Sequence, residues 1–491
     1  MSSRRSLVKG FLSFSIGPWL SALVAFVTTP LITWLLSPEE FGRGSLFLTA
    51  YGLLITMVLL GFDGAYVRYF HEYNDSRQRA SSLLFTFLVT PLTTVFLFSL
   101  LLGFFKEEIA FLLTGTSDNA GNMMLFLGLL LLVGVLQRFA LLIVRMQQKG
   151  VVFSLLTLLN SLANAGFIIG YSLLVRKDFN AMVWGRLGGL SLSFLAASLL
   201  VERTLWIGFF RKRVTLNASL MREGFLYGLP LVPAELLTWV LNSMDKIALR
   251  SFSSFSEIGL YTAANKLLSA LLLLRTSFSM FWVPVAYQKY EEEGDARFFG
   301  KVAGVMAGSL LLLAMGVILV KDLVVLLLAG EYREAASVMP FLVFVPTMYT
   351  LSEVTMVGIN FKKQTHWHVV VSGISVVVNL VGNYLLVPRF GAKGAAIATG
   401  VSYIVFFYMR TIVSRRLFPV DYGMGRLTVG VILLMSAAVV NTFLPSLWGM
   451  AAAGIGIGML GVLYVHEIRK GFSLGIGILR SRIMRKGSDS R

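Results

Sequence analysis

The chain has 491 residues, of which 56% are hydrophobic and only 14% are charged, and its mean hydropathy is +0.77. Soluble domains carry about 25% charged residues, so this composition excludes a water-soluble globular protein. The sequence contains no cysteine, which excludes disulfides, thiol catalysis and thiolate metal sites. The four histidines lack partners at metal-ligand spacing, and we predict no metal site.

Fourteen apolar segments follow one another along the chain, most of them at or above the roughly 20 residues that a helix needs to cross a bilayer. The apolar runs are continuous, whereas membrane β-strands would alternate over about 10 residues. We therefore predict an all-α, polytopic membrane protein with about 14 transmembrane helices. The segments cover residues 11–36, 41–70, 80–102, 122–145, 151–175, 181–201, 222–250, 257–288, 299–320, 335–359, 366–387, 392–414, 427–445 and 447–466.

The formal net charge of +18 is unevenly distributed along the chain. With the N-terminus inside, most Lys and Arg residues fall on the tails and inner loops, as the positive-inside rule requires. Arg4, Arg5 and Lys9 precede the first segment, and a long basic loop lies in the centre of the chain. We predict that both termini are cytoplasmic and that this charge binds anionic lipids at the inner face, with no nucleic-acid partner.

An internal repeat relates the two halves of the chain. The run Leu-Ser-Pro-Glu-Glu-Phe-Gly at 36–42 corresponds to Ser-Ser-Phe-Ser-Glu-Ile-Gly at 253–259, and similar Asn pairs recur in the fifth and eleventh segments. One repeat holds six segments, so we predict two parallel six-helix lobes with a central cavity, an arrangement that suits alternating access. The predicted parts are an N-terminal lobe (1–201), a basic cytoplasmic linker (202–223), a C-terminal lobe (224–414), an extra helix pair (415–466) and a basic cytoplasmic tail (467–491).

Basic side chains inside the apolar segments are the first candidate functional residues, because each costs about 3 kcal/mol to insert and usually faces a wet interior. Arg138, Lys266 and Arg275 lie deep enough to require a water-filled cavity. Lys266 and Arg275 are half a turn out of phase, so they can face one cavity only if their segment bends. A simpler interpretation, as anchors at the inner interface, applies to Arg68, Arg145 and Arg410.

The acidic side chains inside the segments leave two interpretations open. Glu235 and Glu353 could bind a coupling proton or Na⁺, or could neutralise a neighbouring Arg. Asp245 could serve transport, or could form a structural pair with Lys246 or Arg250.

Several motifs resemble those of the polysaccharide-biosynthesis (Wzx-type) oligosaccharide flippases, members of the multidrug, oligosaccharidyl-lipid and polysaccharide exporter superfamily. They are the run 36–42, Leu-Gly-Phe-Asp at 60–63, Arg-Tyr-Phe at 68–70, Asp245, Ile-Gly-Leu-Tyr at 258–261, Lys266, Phe-Trp-Val-Pro at 281–284 and Gly-Ala-Lys-Gly-Ala at 391–395. The resemblance covers nearly the whole chain. It implies a two-lobed transporter in the bacterial cytoplasmic membrane that moves a polyprenyl-pyrophosphate-linked oligosaccharide from the inner to the outer leaflet for cell-surface polysaccharide synthesis.

The implied substrate gives the intramembrane charges a role, because a pyrophosphate headgroup needs fixed cations in a wet chamber. The predicted headgroup-binding residues are Lys266, Arg275, Lys246, Arg138 and Arg186. The predicted coupling or gating residues are Asp245, Glu235, Glu353, Asp63 and Arg68. We predict no cofactor, coupling by H⁺ or Na⁺, and the lipid-linked glycan as the main partner, with polysaccharide-assembly enzymes as a further partner left open.

The sequence leaves two other functions to compare with this one. A cation-coupled multidrug antiporter of the same superfamily would need an acidic, aromatic pocket, whereas the intramembrane excess here is basic. A membrane-embedded glycan polymerase or ligase would normally carry a large outer loop with catalytic side chains. The longest predicted outer loops, 103–121 and 321–334, are short and poor in such residues, and we predict no enzymatic activity.

Overall fold

The computed structural model describes residues 2–73, 77–201, 216–292, 296–467 and 469, and within these residues the chain is helical without β-strands. This confirms the predicted all-α class. The helices in chain order are α1 (Ser2–Leu35), α2 (Pro38–Leu59), α3 (Phe62–Tyr73), α4 (Arg77–Phe104), α5 (Lys106–Thr114), α6 (Ala120–Met146), α7 (Gly150–Leu174), α8 (Asn180–Ala196), α9 (Ala218–Gly228), α10 (Val232–Phe252), α11 (Phe255–Leu267), α12 (Ser269–Glu292), α13 (Ala296–Val325), α14 (Ala335–Leu342), α15 (Phe344–Thr355), α16 (Val357–Phe361), α17 (His366–Leu417), α18 (Met424–Phe443) and α19 (Ser446–Leu463).

Twelve helical stretches in the described chain are long and apolar enough to cross a membrane, so the protein is multi-pass. One of them, α17, has 52 residues and contains a kink at Gly391, where φ is 54° and ψ is −130°. This kink separates the predicted eleventh and twelfth segments. The predicted eighth segment is not among the twelve stretches, and the count of about fourteen crossings stays a prediction.

The second predicted segment, residues 41–70, is not one helix. α2 ends at Leu59 and α3 begins at Phe62, because Leu60 (φ 50°) and Gly61 (φ 72°) adopt the left-handed conformation. A side chain at Gly61 would place its Cβ 2.3 Å from the carbonyl oxygen of Gly228, so glycine is required there. The break places Asp63 on a short helix of its own, which can be oriented independently of α2.

The chain divides into two compact units, Met1–Thr262 and Ala263–Arg491. In the first unit, the ring of Phe62 packs edge-on against those of Phe87 and Phe225, with centroids 5.4 and 4.9 Å away. In the second unit, Trp282 lies in a buried aromatic cluster and packs edge-on against Phe299 at 6.0 Å. The predicted lobes rest on the sequence repeat and stay a prediction.

The two copies of the repeated turn contact each other inside the first unit. A Cβ on Gly42 would lie 1.8 Å from the carbonyl oxygen of Phe255, and a Cβ on Gly259 would lie 2.0 Å from that of Pro38. Pro38 and Phe255 occupy equivalent positions in the two copies, as do Gly42 and Gly259. The contact is therefore reciprocal, which is the pattern that a two-fold relation between the copies would produce.

A close contact is present at each end of α2. Near its first residues, Ser45 Oγ and Thr262 Oγ1 are hydrogen-bonded at 2.9 Å. Beyond its last residue, Gly61 lies against the backbone of Gly228. At 1.5 Å per residue, the helical rise from Ser45 to Gly61 is about 24 Å, so the two contacts lie in opposite halves of a membrane core about 30 Å thick.

Candidate functional site

A polar cavity of about 440 Å³, which we call the charged cavity, lies among the helices of the first unit. Its volume falls within the range of about 300–1,000 Å³ that is usual for small-ligand sites. Side chains from one face of α2 form much of the wall, since they recur every three or four residues. The lining residues are Leu48, Tyr51, Gly52, Ile55, Thr56, Leu59, Asp63, Gly134, Gln137, Arg138, Asn164, Arg186, Leu190 and Glu235.

An ion pair between Arg138 of α6 and Asp63 of α3 forms the charged centre of this cavity. Nε and Nη2 of Arg138 donate to the same oxygen, Asp63 Oδ2, at 3.0 and 2.9 Å. The Asp63 side chain is only 6% exposed, whereas that of Arg138 is 55% exposed. The buried carboxylate therefore fixes the guanidinium, which still presents much of its surface to the cavity.

The second carboxylate oxygen of Asp63, Oδ1, is buried and has no hydrogen-bond partner among the described residues. An unpartnered buried charge is costly. Asp63 is therefore held mainly by Arg138, and any ligand that draws Arg138 away would destabilise the present position of α3.

Arg186 of α8 supplies a second cation to the same cavity. Its guanidinium carbon lies 5.5 Å from the centroid of the Tyr51 ring, a cation–π arrangement. Within the described part of the chain, no carboxylate lies within ion-pair distance of Arg186. Glu235, in the first turn of α10, lines the cavity as its second acid.

Four of the predicted site residues thus meet in one cavity: Asp63, Arg138, Arg186 and Glu235. Tyr51 and Gln137 are lining residues that were not predicted from the sequence. Asn164 had been identified only as half of a repeated pair. The spacing of Tyr51, Gly52, Ile55 and Thr56 on α2 could have indicated this wall of the cavity. It places two hydroxyl-bearing side chains and a glycine on one helical face.

The other predicted residues of the first unit lie outside the cavity lining. Lys246 Nζ donates to Thr49 Oγ1 at 3.2 Å. Asp245 is 4% exposed and accepts a hydrogen bond from the Tyr261 hydroxyl. Arg68 forms an exposed pair with Glu72, and its role as an interface anchor stays a prediction.

The sequence left open a structural pair between Asp245 and Arg250, but the hydrogen bonds of Arg250 go to backbone carbonyl groups of α5. Its Nε and Nη2 donate to the carbonyl oxygens of Leu112 and Phe111 at 2.7 and 3.0 Å. Its guanidinium also lies 4.7 Å from the centroid of the Phe255 ring. Arg250 therefore ties α10 to the end of α5.

In the second unit, Glu353 pairs with an arginine, which is one of the two interpretations that the sequence left open. Arg410 Nη1 lies 3.2 Å from Glu353 Oε1 and 3.0 Å from Ser352 Oγ. The two charged side chains are 9% and 8% exposed. His368 Nδ1 lies 3.2 Å from Arg410 Nη2, and the cluster ties α15 to both ends of α17.

Lys266 and Arg275 lie on different helices, because the predicted segment 257–288 breaks at Leu268 between α11 and α12. The two residues therefore need not keep the phase that one continuous helix would impose, and their joint role stays a prediction. Lys266 is half-buried, near the end of α11. The side chain of Arg275 lies outside the described residues.

Replacing Arg410 by methionine is expected to destabilise the protein by about 3–5 kcal/mol, because Glu353 would remain buried without its partner. The double variant R410M/E353Q removes both charges and should regain most of that loss. Chemical unfolding in detergent micelles measures both effects. R68M, at the exposed Arg68–Glu72 pair, is the matched control and should change stability little. An equal loss in the single and double variants would contradict the pairing.

Comparison with known proteins finds a matching family, a relative in sequence and similar solved structures. Residues 7–289 match the family described as "Polysaccharide biosynthesis protein". An uncharacterized membrane protein of Methanocaldococcus jannaschii is 21% identical over 437 residues, which are 83% of each chain. The lipid II flippase MurJ in an inward closed conformation is similar in structure, with a TM-score of 0.69 and 14% identity over 94% of this chain and 99% of that one.

A multidrug resistance MATE family transporter of the MOP superfamily, in its inward-facing conformation, is also similar. The TM-score is 0.55 and the identity 15%, over 86% of this chain and 96% of that one. At these identities the two structures show the fold alone. The present chain therefore shares its fold with these two transporters.

Proposed function

This chain belongs to the polysaccharide biosynthesis protein family, and from that premise we propose that it carries a polyprenyl-pyrophosphate-linked oligosaccharide from the inner to the outer leaflet by alternating access. The family and the fold support a membrane transporter. The charged cavity supports an anionic headgroup as its cargo. The membrane, in this proposal, is the bacterial cytoplasmic membrane, with both termini inside.

The observation that carries the proposal is the exposed face of Arg138 inside the cavity. Asp63 occupies Nε and Nη2 of Arg138, and Nη1 has no protein partner in the described chain. Guanidinium groups bind phosphate oxygens through several parallel hydrogen bonds. Arg138, with Arg186 lining the same cavity, provides two donors for a diphosphate.

The headgroup would compete with Asp63 for Arg138. Diphosphate carries more charge than a carboxylate, so its arrival weakens the hold of Arg138 on Asp63 and on α3. Because α3 follows the left-handed turn at Leu60 and Gly61, a change in its tilt need not disturb α2. Loading of the cavity would then loosen the contact between Gly61 and Gly228.

The contacts at the two ends of α2 are the gates of the proposed cycle. Alternating access requires the two faces to open in turn. In the present structure both contacts are closed, with Ser45 against Thr262 and Gly61 against Gly228. On the predicted topology, the first contact closes the outer face and the second closes the inner face.

Coupling by H⁺ or Na⁺ is part of the proposal, and Glu235 is the residue we assign to it. Glu353 is already paired with Arg410, and Asp245 is bound by Tyr261. Glu235 instead lines the cavity, where its carboxylate can exchange an ion when the cavity is open to water. Anionic lipids and polysaccharide-assembly enzymes are the proposed partners at the inner face.

Native mass spectrometry of the purified protein tests the class of cargo. Polyprenyl-pyrophosphate oligosaccharide, the same lipid without sugar, and a lipophilic cationic drug are offered at equal concentration. The proposal predicts that both pyrophosphate lipids bind and that the drug, repelled by Arg138 and Arg186, does not. Preferential binding of the drug would reject the proposed cargo and favour an antiporter.

A further inference from the structure

A second cavity, also of about 440 Å³, lies between the halves of α4 and α6 that adjoin α5. It shares no lining residue with the charged cavity. Apart from Ser99 and Lys106, its wall consists of apolar side chains and glycines. The lining residues are Leu92, Val95, Phe96, Ser99, Gly103, Lys106, Gly121, Met124, Leu125, Gly128, Leu129 and Leu132.

Glycines account for the shape of this groove. A Cβ added at Gly103 or Gly121 would meet no atom within 4 Å, so each of these positions leaves space that a side chain would fill. Gly128 differs, because its Cβ would lie 2.9 Å from Ser99 Oγ. The groove is therefore closed at Gly128, where α4 and α6 approach each other. It is open next to Gly103 and Gly121.

The groove faces the bilayer. Phe96 and Leu125 on its walls are 61% and 62% exposed, and both belong to helices that are apolar enough to span a membrane. From Leu92 to Gly103, the last lining residue of α4, the helical rise is about 17 Å. One leaflet contributes about 15 Å of hydrocarbon, so the groove runs from near the midplane to the interface.

Charges mark the interfacial end of the groove. Lys106 lines it, and Glu107 and Glu108 follow in the exposed first turn of α5. A phosphodiester beside Lys106 would be attracted by the ammonium group. The two adjacent carboxylates would repel a headgroup of net negative charge and attract one that carries its own ammonium group.

We propose that this groove binds a zwitterionic aminophospholipid of the phosphatidylethanolamine type. One acyl chain fills the groove, the phosphate contacts Lys106, and the headgroup ammonium contacts Glu107 or Glu108. On the predicted topology the lipid belongs to the outer leaflet. Because the site is separate from the charged cavity, this inference goes beyond the proposed function.

Native mass spectrometry with phosphatidylethanolamine or phosphatidylglycerol of identical chains tests the proposal. The variant G103L/G121L adds apolar side chains to the groove at two positions where a Cβ meets no atom within 4 Å, and it replaces glycine by a better helix former. We expect it to lower retention of phosphatidylethanolamine roughly tenfold, the effect of losing one well-fitted chain site. The matched control is G166L on α7, where a Cβ also meets no atom, and it should retain the lipid.

Headgroup variants separate this site from nonspecific lipid contact. K106A should lower phosphatidylethanolamine retention about 2- to 5-fold, as for an exposed ion pair, while K177A in another loop should not. E107Q/E108Q should shift the preference toward phosphatidylglycerol. Retention that is equal for both lipids, or unchanged in G103L/G121L, would overturn the proposal. Displacement of the phospholipid by a polyprenyl phosphate, or by dimerisation through this face, would also overturn it.

Discussion

Replacing Arg138 by glutamine is expected to lower the rate of glycolipid translocation about 10- to 100-fold. The substitution removes charge-assisted hydrogen bonds to the diphosphate, each worth about 1.5–3 kcal/mol. It also leaves Asp63, 6% exposed, without its cation, which by itself would destabilise the fold. The comparison that isolates binding is therefore the double variant D63N/R138Q, in which no buried charge is left unpaired.

Three variants complete this test in a proteoliposome translocation assay. D63N/R138Q should recover stability but not transport. R138K keeps the charge but loses the planar fork, and should fall between wild type and R138Q. R145Q changes an exposed arginine of the same helix outside the cavity lining and should transport normally. Wild-type transport in D63N/R138Q would remove Arg138 from the headgroup site.

Cross-linking Ser45 to Thr262 is expected to stop transport almost completely. The chain contains no cysteine, so the variant S45C/T262C introduces a single reactive pair. The two side-chain oxygens are 2.9 Å apart, which brings the β-carbons near the spacing that a disulfide needs. The bond would hold one end of α2 closed against α11, and reduction should restore the rate within the same sample.

Each single variant, S45C and T262C, controls for loss of the hydrogen bond and should transport at near the wild-type rate under oxidising conditions. Gel mobility after blocking of free thiols gives the cross-linked fraction. Full transport by a fully cross-linked protein would show that this contact does not separate during the cycle. It would leave the headgroup assignment untouched, since Arg138 and Arg186 are tested separately.

Hydropathy predicted the membrane class and most helix positions because insertion into a bilayer depends on the composition of each segment. It did not reveal the break between α2 and α3, since Leu60 and Gly61 are as compatible with an apolar helix as their neighbours. The kink at Gly391 did coincide with a predicted boundary between segments. Backbone breaks inside apolar runs depend on close contacts, such as Gly61 with Gly228, that a single segment does not contain.

The candidate site was predictable in part for a related reason. The cost of burying charge pointed to Asp63, Arg138, Arg186 and Glu235 one by one, and the structure brings these four into one cavity. Nothing in the sequence showed that Asp63 and Arg138 pair across 75 positions, or that Lys246 is instead bound to Thr49. Such pairs depend on the rotation of each helix about its axis. Hydropathy does not determine this rotation when a helix is apolar on most of its faces.

The burial of Arg410 also could not be predicted from the sequence. Its position near the inner end of a segment suggested an interface anchor, yet the side chain is 9% exposed and bound to Glu353. A long side chain near a helix end can reach the interface or turn inward. The presence of an acidic partner on a neighbouring helix decides between the two, and that partner is known only from the packing.

The most direct test of the account is translocation of a polyprenyl-pyrophosphate oligosaccharide in proteoliposomes that contain only this protein. The glycolipid is placed in the inner leaflet, and its arrival outside is measured with a membrane-impermeant glycosidase. We expect accelerated arrival with wild-type protein and arrival at the protein-free rate with D63N/R138Q. Arrival at the protein-free rate with folded wild-type protein, under both an imposed proton gradient and a Na⁺ gradient, would contradict it.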